Sequence, residues 1–227
     1  MQSVVTRVER LLKDTSLRVM AGAVAALIAL VWAAGVVQYI DSSLPGAWRF
    51  ALDGERLVPA AVSALLLLLL AGVAAVVAAA ERQRSRGWLA FAVLAALFVF
   101  MSADEWFGVH EELESSVGED WQLLYLGVFV VAGVAWAAAL RGLDATSRAL
   151  WIGGAAAWGV SQVIERIQWD GDELLYEWTI LPEELLEMAG TAMWLFALVL
   201  VLRRAQAPGL ATMSTMTSTS TASSSRV

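Results

Sequence analysis

The chain contains no cysteine, which removes disulfides, thiolate metal sites and cysteine nucleophiles together. Its single histidine, His110, excludes a three-histidine zinc centre and leaves at most one imidazole for any metal. Charge is scarce as well: 16% of the 227 residues are charged, where ordinary soluble domains carry about 25%. Basic charge is the scarcer kind, 15 Lys and Arg against 22 Asp and Glu, and a net charge of −7 speaks against nucleic acid, whose recognition calls for a basic stripe. What remains is apolar, 59% of the residues, and it is gathered into long runs. Scarce charge and long apolar runs mark an integral membrane protein, with the lipid bilayer as its first partner.

A hydrocarbon core about 30 Å thick requires roughly 20 apolar residues per helix. Six runs reach that length: Arg18 to Ile40, Leu57 to Ala80, Gly87 to His110, Trp121 to Leu140, Ser147 to Gln168, and Leu181 to Leu202, here segments 1 to 6. Backbone groups in lipid have to pair within their own segment, and the runs are too long and continuous for tilted barrel strands. The expected fold class is therefore all-α: a polytopic domain of six transmembrane helices over 18–204. Before it, Val4, Val5, Val8, Leu11 and Leu12 interleave with Arg7, Glu9, Arg10 and Lys13, the pattern of a short amphipathic helix on a membrane surface over 1–17. Segment 1 is also too long for the h-region of a cleaved signal peptide, about 7 to 15 residues. After the domain, 205–227 contain STMTSTSTASSS, a low-complexity tail without apolar periodicity and so expected to be disordered.

Twelve of the 15 basic residues flank the segments on one side, among them Arg82, Arg84 and Arg86 between segments 2 and 3 and Arg203 and Arg204 after segment 6. The positive-inside tendency makes that side cytoplasmic, with both termini inside and the cytoplasmic (inner) membrane as the location. Only Arg49, Arg56 and Arg166 fall on the other side, together with 18 of the 22 acids. Acids count little for orientation, so the acidic outer face calls for its own explanation.

Segments 1, 2 and 4 are nearly all Ala, Val, Leu and Gly and look like scaffold. Segments 3, 5 and 6 carry carboxylates in their outer thirds. Segment 3 ends in MSADEWFGVHEELE, where about 100° per residue brings Asp104, Gly108 and Glu111 onto one face, with Glu105 on its flank. His110 lies roughly 120° from Asp104 by the same count. It joins that face only if the helix loosens near Gly108; otherwise Glu114, four residues on, is its natural partner. Segment 5 carries Trp158, Ser161, Gln162, Glu165 and Trp169 on one stripe. Segment 6 opens ILPEELLEMAGTAMW, with Pro182 suited to a first turn, Glu183 and Glu184 at the positive end of the helix dipole, and Glu187 one turn deeper. Gly190 and Thr191 follow on that face, small enough for close helix contact.

SADE followed by HEE closing segment 3, a lone Glu late in segment 5, and EELLEMAG opening segment 6 together resemble a family of uncharacterised bacterial multipass membrane proteins. The resemblance covers roughly residues 87–202. It implies that Asp104, Glu105, His110, Glu111, Glu165, Glu183, Glu184, Glu187 and Gly190 belong to one set, and it implies no reaction.

Each feature also has an ordinary explanation. Glu183 and Glu184 stabilise a helix start by about 0.3 to 1 kcal/mol each. The loop acids are solvated charges, and Trp48, Trp88, Trp106, Trp121, Trp169 and Trp178 sit near segment ends as interface anchors. Asp104, Glu165 and Glu187 resist this treatment, because a carboxylate within a span costs at least ~2.5 kcal/mol near the centre and is tolerated mostly when it faces the bundle interior. Acids brought within a few ångströms of each other cannot all stay ionised without protons or a cation.

The leading expectation is thus a divalent cation bound directly by Asp104, Glu111, Glu165 and Glu187, with Glu105, His110, Glu183 and Glu184 behind them or at the mouth of the site. Hard oxygen donors favour Ca²⁺, Mn²⁺, Mg²⁺ or Fe²⁺ over Zn²⁺. Hydrolysis by a metal-activated water is one use of such a site. Standard signatures are missing, however: neither the Glu-x-x-His of di-iron bundles nor H-E-x-x-H occurs. Ser102 stands about 80° round the helix from His110, a poor start for a Ser-His-Asp hydrolase. No catalytic residue and no organic cofactor is singled out. Two other classes fit the same residues: a proton or cation carrier built on Glu165 and Glu187, and an assembly subunit whose acidic face docks a basic protein; a protein partner or a homo-oligomer is left open as an expectation.

Overall fold

The computed structural model describes residues 16–52, 56–82, 87–117, 121–170, 173–174 and 177–205. The expected amphipathic segment lies almost wholly outside the described residues, as does the Ser/Thr-rich tail.

All six apolar segments fold as helices. Segment 1 is α1 (Leu17–Ile40), segment 2 is α2 (Val58–Glu81) with Pro59 in its first turn, and segment 3 is α3 (Trp88–Phe107). Gly108 ends α3 in the left-handed conformation at φ 63° and ψ 42°, which glycine adopts without the steric cost of a Cβ. A second helix, α4 (Val109–Val117), starts at once in a new direction. Segment 4 is split at Tyr125 into the single turn α5 (Trp121–Leu124) and α6 (Leu126–Leu140). Segment 5 is α7 (Ala145–Gln168), and segment 6 is α8 (Ile180–Ala205). Between α7 and α8 the chain makes a two-residue antiparallel pairing, Trp169 opposite Leu174 and Asp170 opposite Glu173, then a 3-10 turn at Glu177–Thr179. The described fold is all-helical but for that short pairing.

Four of these helices, α1, α2, α3 and α8 through Arg204, are long and apolar enough to cross a membrane. The other two depart from the sequence expectation for different reasons. α6 has 15 residues, about 22 Å of helix at 1.5 Å per residue and short of a bilayer core. α7 is as long as α1 at 24 residues, but Ser161, Gln162, Glu165 and Arg166 replace aliphatic side chains along its second half.

The helices form an open arc. α6 packs on α3, α3 on α2, α2 on α8 and α8 on α7, while α1 lies outside against α8. One buried cluster runs through the middle of the arc, with Leu70, Val77, Phe91, Phe98, Trp151, Trp194 and Leu198 at its centre. A smaller one, of Ile28, Val31, Leu66, Met188 and Ala192, fixes α1. Ser102 belongs to this packing: its hydroxyl donates to Ala64 O at 2.7 Å, a tie between α3 and α2. The ends of the arc, α6 and α7, scarcely touch each other. They are tied by Trp151 Nε1 donating to Trp136 O at 3.3 Å near the hairpin that joins them, and by Gln122 Nε2 donating to Gln162 O at 3.2 Å toward the other end.

Candidate functional site

The arc encloses a cavity of about 620 Å³, reached by α3, α6, α7 and α8. One end of it is polar. Asp104 and Glu105 come from the last turn of α3, His110 from α4, Gln162 and Glu165 from the second half of α7, and Glu183, Glu184 and Glu187 from the first two turns of α8. The other part is apolar, walled by Leu94, Phe98, Phe129, Trp136, Trp158 and Trp194 among others. Six carboxylates and one imidazole thus share a single cavity whose described lining contains no Lys or Arg.

The break at Gly108 decides what Asp104 does. Turning the chain there brings the His110 backbone N–H to Asp104 Oδ1 at 2.9 Å and the His110 ring Nδ1 to Asp104 Oδ2 at 3.0 Å. Tyr125, at the start of α6, donates its hydroxyl to the same Oδ1 at 3.1 Å. Asp104 therefore fastens α3, α4 and α6 together at the rim of the cavity. The looser helix that would bring His110 round to Asp104 is what occurs, and His110 pairs with Asp104. An angular count carried through Gly108 does not apply to Glu111, whose side chain lies outside the described residues.

Glu183 is buried, 8% exposed, and accepts a hydrogen bond from Gln168 Nε2 at 2.7 Å. Gln168 accepts in turn from the Thr179 hydroxyl at 2.6 Å, so the connection between α7 and α8 is clamped onto the start of α8. Trp32 Nε1 donates to Leu181 O at 2.7 Å and fixes that start from the α1 side. Glu187 accepts from Gln162 Nε2 at 3.1 Å. The other side-chain atom of Gln162, Oε1, is buried and has no hydrogen-bond partner, and the same holds for Trp136 Nε1. Both residues line the cavity. Buried polar atoms are seldom left unsatisfied, so two of them on residues lining one cavity set that region apart from the rest of the packing.

Small residues set how closely the helices approach. A Cβ on Gly154 would stand 2.8 Å from Gly190 O, and one on Gly190 would stand 2.9 Å from Gly154 O, so α7 and α8 cross at backbone contact. That crossing carries the aromatic floor: Trp158 stacks on Trp194 at 6.1 Å with 5° between planes, Trp158 Nε1 donates to Thr191 Oγ1 at 3.1 Å, and Trp194 Nε1 donates to Trp151 O at 2.9 Å. The role expected of Gly190 and Thr191, close helix contact, is the one they have.

Of the residues expected at the site, Asp104, Glu105, His110, Glu165, Glu183, Glu184 and Glu187 all reach the one cavity. Among the described residues, no three His, Asp or Glu side chains converge as a ready-made metal site. Sequence reasoning placed Trp194 on the Glu187 face but missed Tyr125 and Trp136 in the cavity lining and Trp151 behind it. A tyrosine inside segment 4, otherwise almost all aliphatic, was the available signal for Tyr125; the two tryptophans offered none beyond their distance from the segment ends.

The family model described as "Domain of unknown function (DUF8692)" matches residues 8–201, most of the chain, and the chain belongs to that family. No curated protein and no solved structure matches it.

Proposed function

We propose that this member of the family is a six-span protein of the cytoplasmic membrane, with both termini inside, that binds a cation at the carboxylate end of its cavity, on the outer side. The observation that carries the reading is the unbalanced lining: Asp104, Glu105, Glu165, Glu183, Glu184 and Glu187 share one cavity whose described lining contains no Lys or Arg. Concentrated negative charge between low-dielectric walls attracts a cation more strongly than the same charge in water. Gln162, Glu165 and Gln168 in the second half of α7 line this space, which supports its being a span in spite of its composition.

Asp104 already accepts three hydrogen bonds and is best read as the residue that positions the rim. The cation falls to Glu165, Glu184 and Glu187, with Glu105 and Glu183 beside them. The carboxylates are spread over the cavity end, which suits an ion that draws them in, such as Ca²⁺, Mn²⁺, Mg²⁺ or Fe²⁺, or a larger organic ammonium ion. The apolar floor of Leu94, Phe98, Trp158 and Trp194 offers no polar continuation through the bundle, so the same feature counts against a carrier.

Equilibrium titration of the purified protein with Mg²⁺, Ca²⁺, Mn²⁺, Fe²⁺ and methylammonium tests the reading. Saturable binding of at least one of them, reduced tenfold or more in Glu184→Gln/Glu187→Gln, is expected. Absence of binding by all five, with the wild type folded, overturns it.

A further inference from the structure

The carboxylates occupy only one end of the cavity, and the rest of its shape bears on what kind of cation enters. From Tyr125 at the acidic rim to Trp136 the lining of α6 extends over 11 residues, about 16 Å of helix. Along that length it presents Val128, Phe129, Ala132 and Gly133, faced across the cavity by Leu94, Phe98, Trp158 and Trp194. A metal ion would leave this chamber unused. Its volume, about 620 Å³, is in the range of roughly 300 to 1,000 Å³ that encloses an organic ligand.

The side wall of the cavity is its weakly packed boundary. α6 and α7 scarcely touch, and the ties from Trp151 to Trp136 and from Gln122, on α5, to Gln162 lie toward opposite ends of it. Between the ties, Gly133 on α6 and Gly159 on α7 line the cavity while remaining exposed, and a Cβ on either would meet nothing within 4 Å. Apolar residues flank this window on the outside, with Val130 58%, Val134 67%, Val160 50% and Val163 61% exposed, as helix faces bathed in acyl chains would be.

From this arrangement we infer that the cavity takes a long-chain amine from the bilayer, its aliphatic chain passing between α6 and α7 into the apolar chamber and its ammonium group lying among Glu165, Glu184 and Glu187. The inference rests on the cation reading and gives it a ligand class. Gln162 lines the cavity where the polar end meets the apolar chamber and holds the Glu187 carboxylate there through its Nε2. The faces of Trp158 and Trp194 below it suit a cation's first methylene groups as well as the chain. A phospholipid fits less well, because its phosphate would meet six carboxylates and no described Lys or Arg.

The test uses the full chain in neutral phosphatidylcholine nanodiscs, with protein-free discs as the blank. Radiolabelled hexadecylamine is compared with hexadecanol, which has the chain without the charge, and with methylammonium, which has the charge without the chain. Hexadecylamine is expected to bind at least tenfold more tightly than either. Gly133→Leu and Gly159→Leu, which add bulk at two lining positions on the two helices of this boundary, are each expected to remove the advantage over methylammonium while methylammonium binding itself persists. Hexadecylamine binding no tighter than methylammonium overturns this inference and leaves the cation reading standing. Hexadecanol binding as tightly as hexadecylamine overturns the inference, since charge would then contribute nothing, and loss of binding by all three also overturns it; the cation reading falls with it only if Mg²⁺, Ca²⁺, Mn²⁺ and Fe²⁺ fail to bind as well.

Discussion

α7 has two boundaries, and glycine lies on both. Toward α8, Gly154 and Gly190 bring the backbones so close that neither position has room for a Cβ. Toward α6, Gly159, like Gly133 on α6 itself, lines the cavity with nothing within 4 Å of a Cβ. The first pair serves van der Waals packing of the kind that holds helices together in lipid, where the hydrophobic effect does not. The second pair leaves space. The same residue type therefore builds a seam on one side of a helix and a window on the other, and only the distances distinguish them.

The comparison can be broken most severely at the seam. Gly154→Leu forces a side chain into Gly190 O and the Trp194 ring and is expected to cost about 3 kcal/mol or to prevent folding. Gly159→Leu, five residues along the same helix, is expected to change stability by no more than about 0.5 kcal/mol. Thermal unfolding of the two variants in one detergent checks the contrast; equal losses would mean that the α6–α7 boundary is closed too. Next in size is the rim. Asp104→Ala removes the acceptor of three hydrogen bonds, from the His110 backbone, the His110 ring and Tyr125, at an expected cost of about 2 kcal/mol. Amide exchange in α4 is expected to rise in that variant, because the His110 N–H loses its partner.

A smaller effect, of opposite sign, is expected inside the chamber. Trp136 Nε1 is a buried donor without a partner, so Trp136→Phe removes an unsatisfied group at little loss of volume. The empty protein is expected to keep its stability or gain up to about 1 kcal/mol, read by the same unfolding assay. The smallest single effect, that of Arg204→Ala, belongs to the far end of the bundle. There Arg204 pairs with Asp144, which also caps the start of α7 by accepting from Thr146 N at 2.9 Å and from the Ser147 hydroxyl at 2.7 Å. The arginine is half exposed, so Arg204→Ala is expected to cost about 0.5 kcal/mol, whereas Asp144→Ala, which also loses the cap, is expected to cost about 1 kcal/mol more.

Helices were legible because run length and composition report directly on what a bilayer demands of a backbone. That Glu165 and Glu187 would line an interior was legible for the same reason, since a carboxylate is costly within an apolar segment unless it faces one. What could not be read was anything that depended on one backbone angle. The positive φ of Gly108 turns His110 from a residue 120° off the Asp104 face into that residue's hydrogen-bond partner. An even periodicity carried across Gly108 has no means of registering the turn. Tyr125 has a related history, since the interruption between α5 and α6 that lets it reach Asp104 leaves no gap in the apolar run. Tryptophan misled by its common role: Trp48 and Trp178 are 60% and 61% exposed near helix ends, as interface anchors would be, yet Trp151 is fully buried and Trp194 is 8% exposed in the floor of the cavity. Sequence position alone gave no distance between aromatic rings on different helices.

The most direct measurement is an experimental density map of the protein purified from membranes without chelator. Density for a cation or an ammonium group is predicted at the acidic end, at ligating or hydrogen-bonding distance, roughly 2.1 to 3.2 Å, from carboxylate oxygens of Glu184 and Glu187. A cavity filled only by an acyl chain, with those carboxylates turned away from it toward protein donors, would contradict the account.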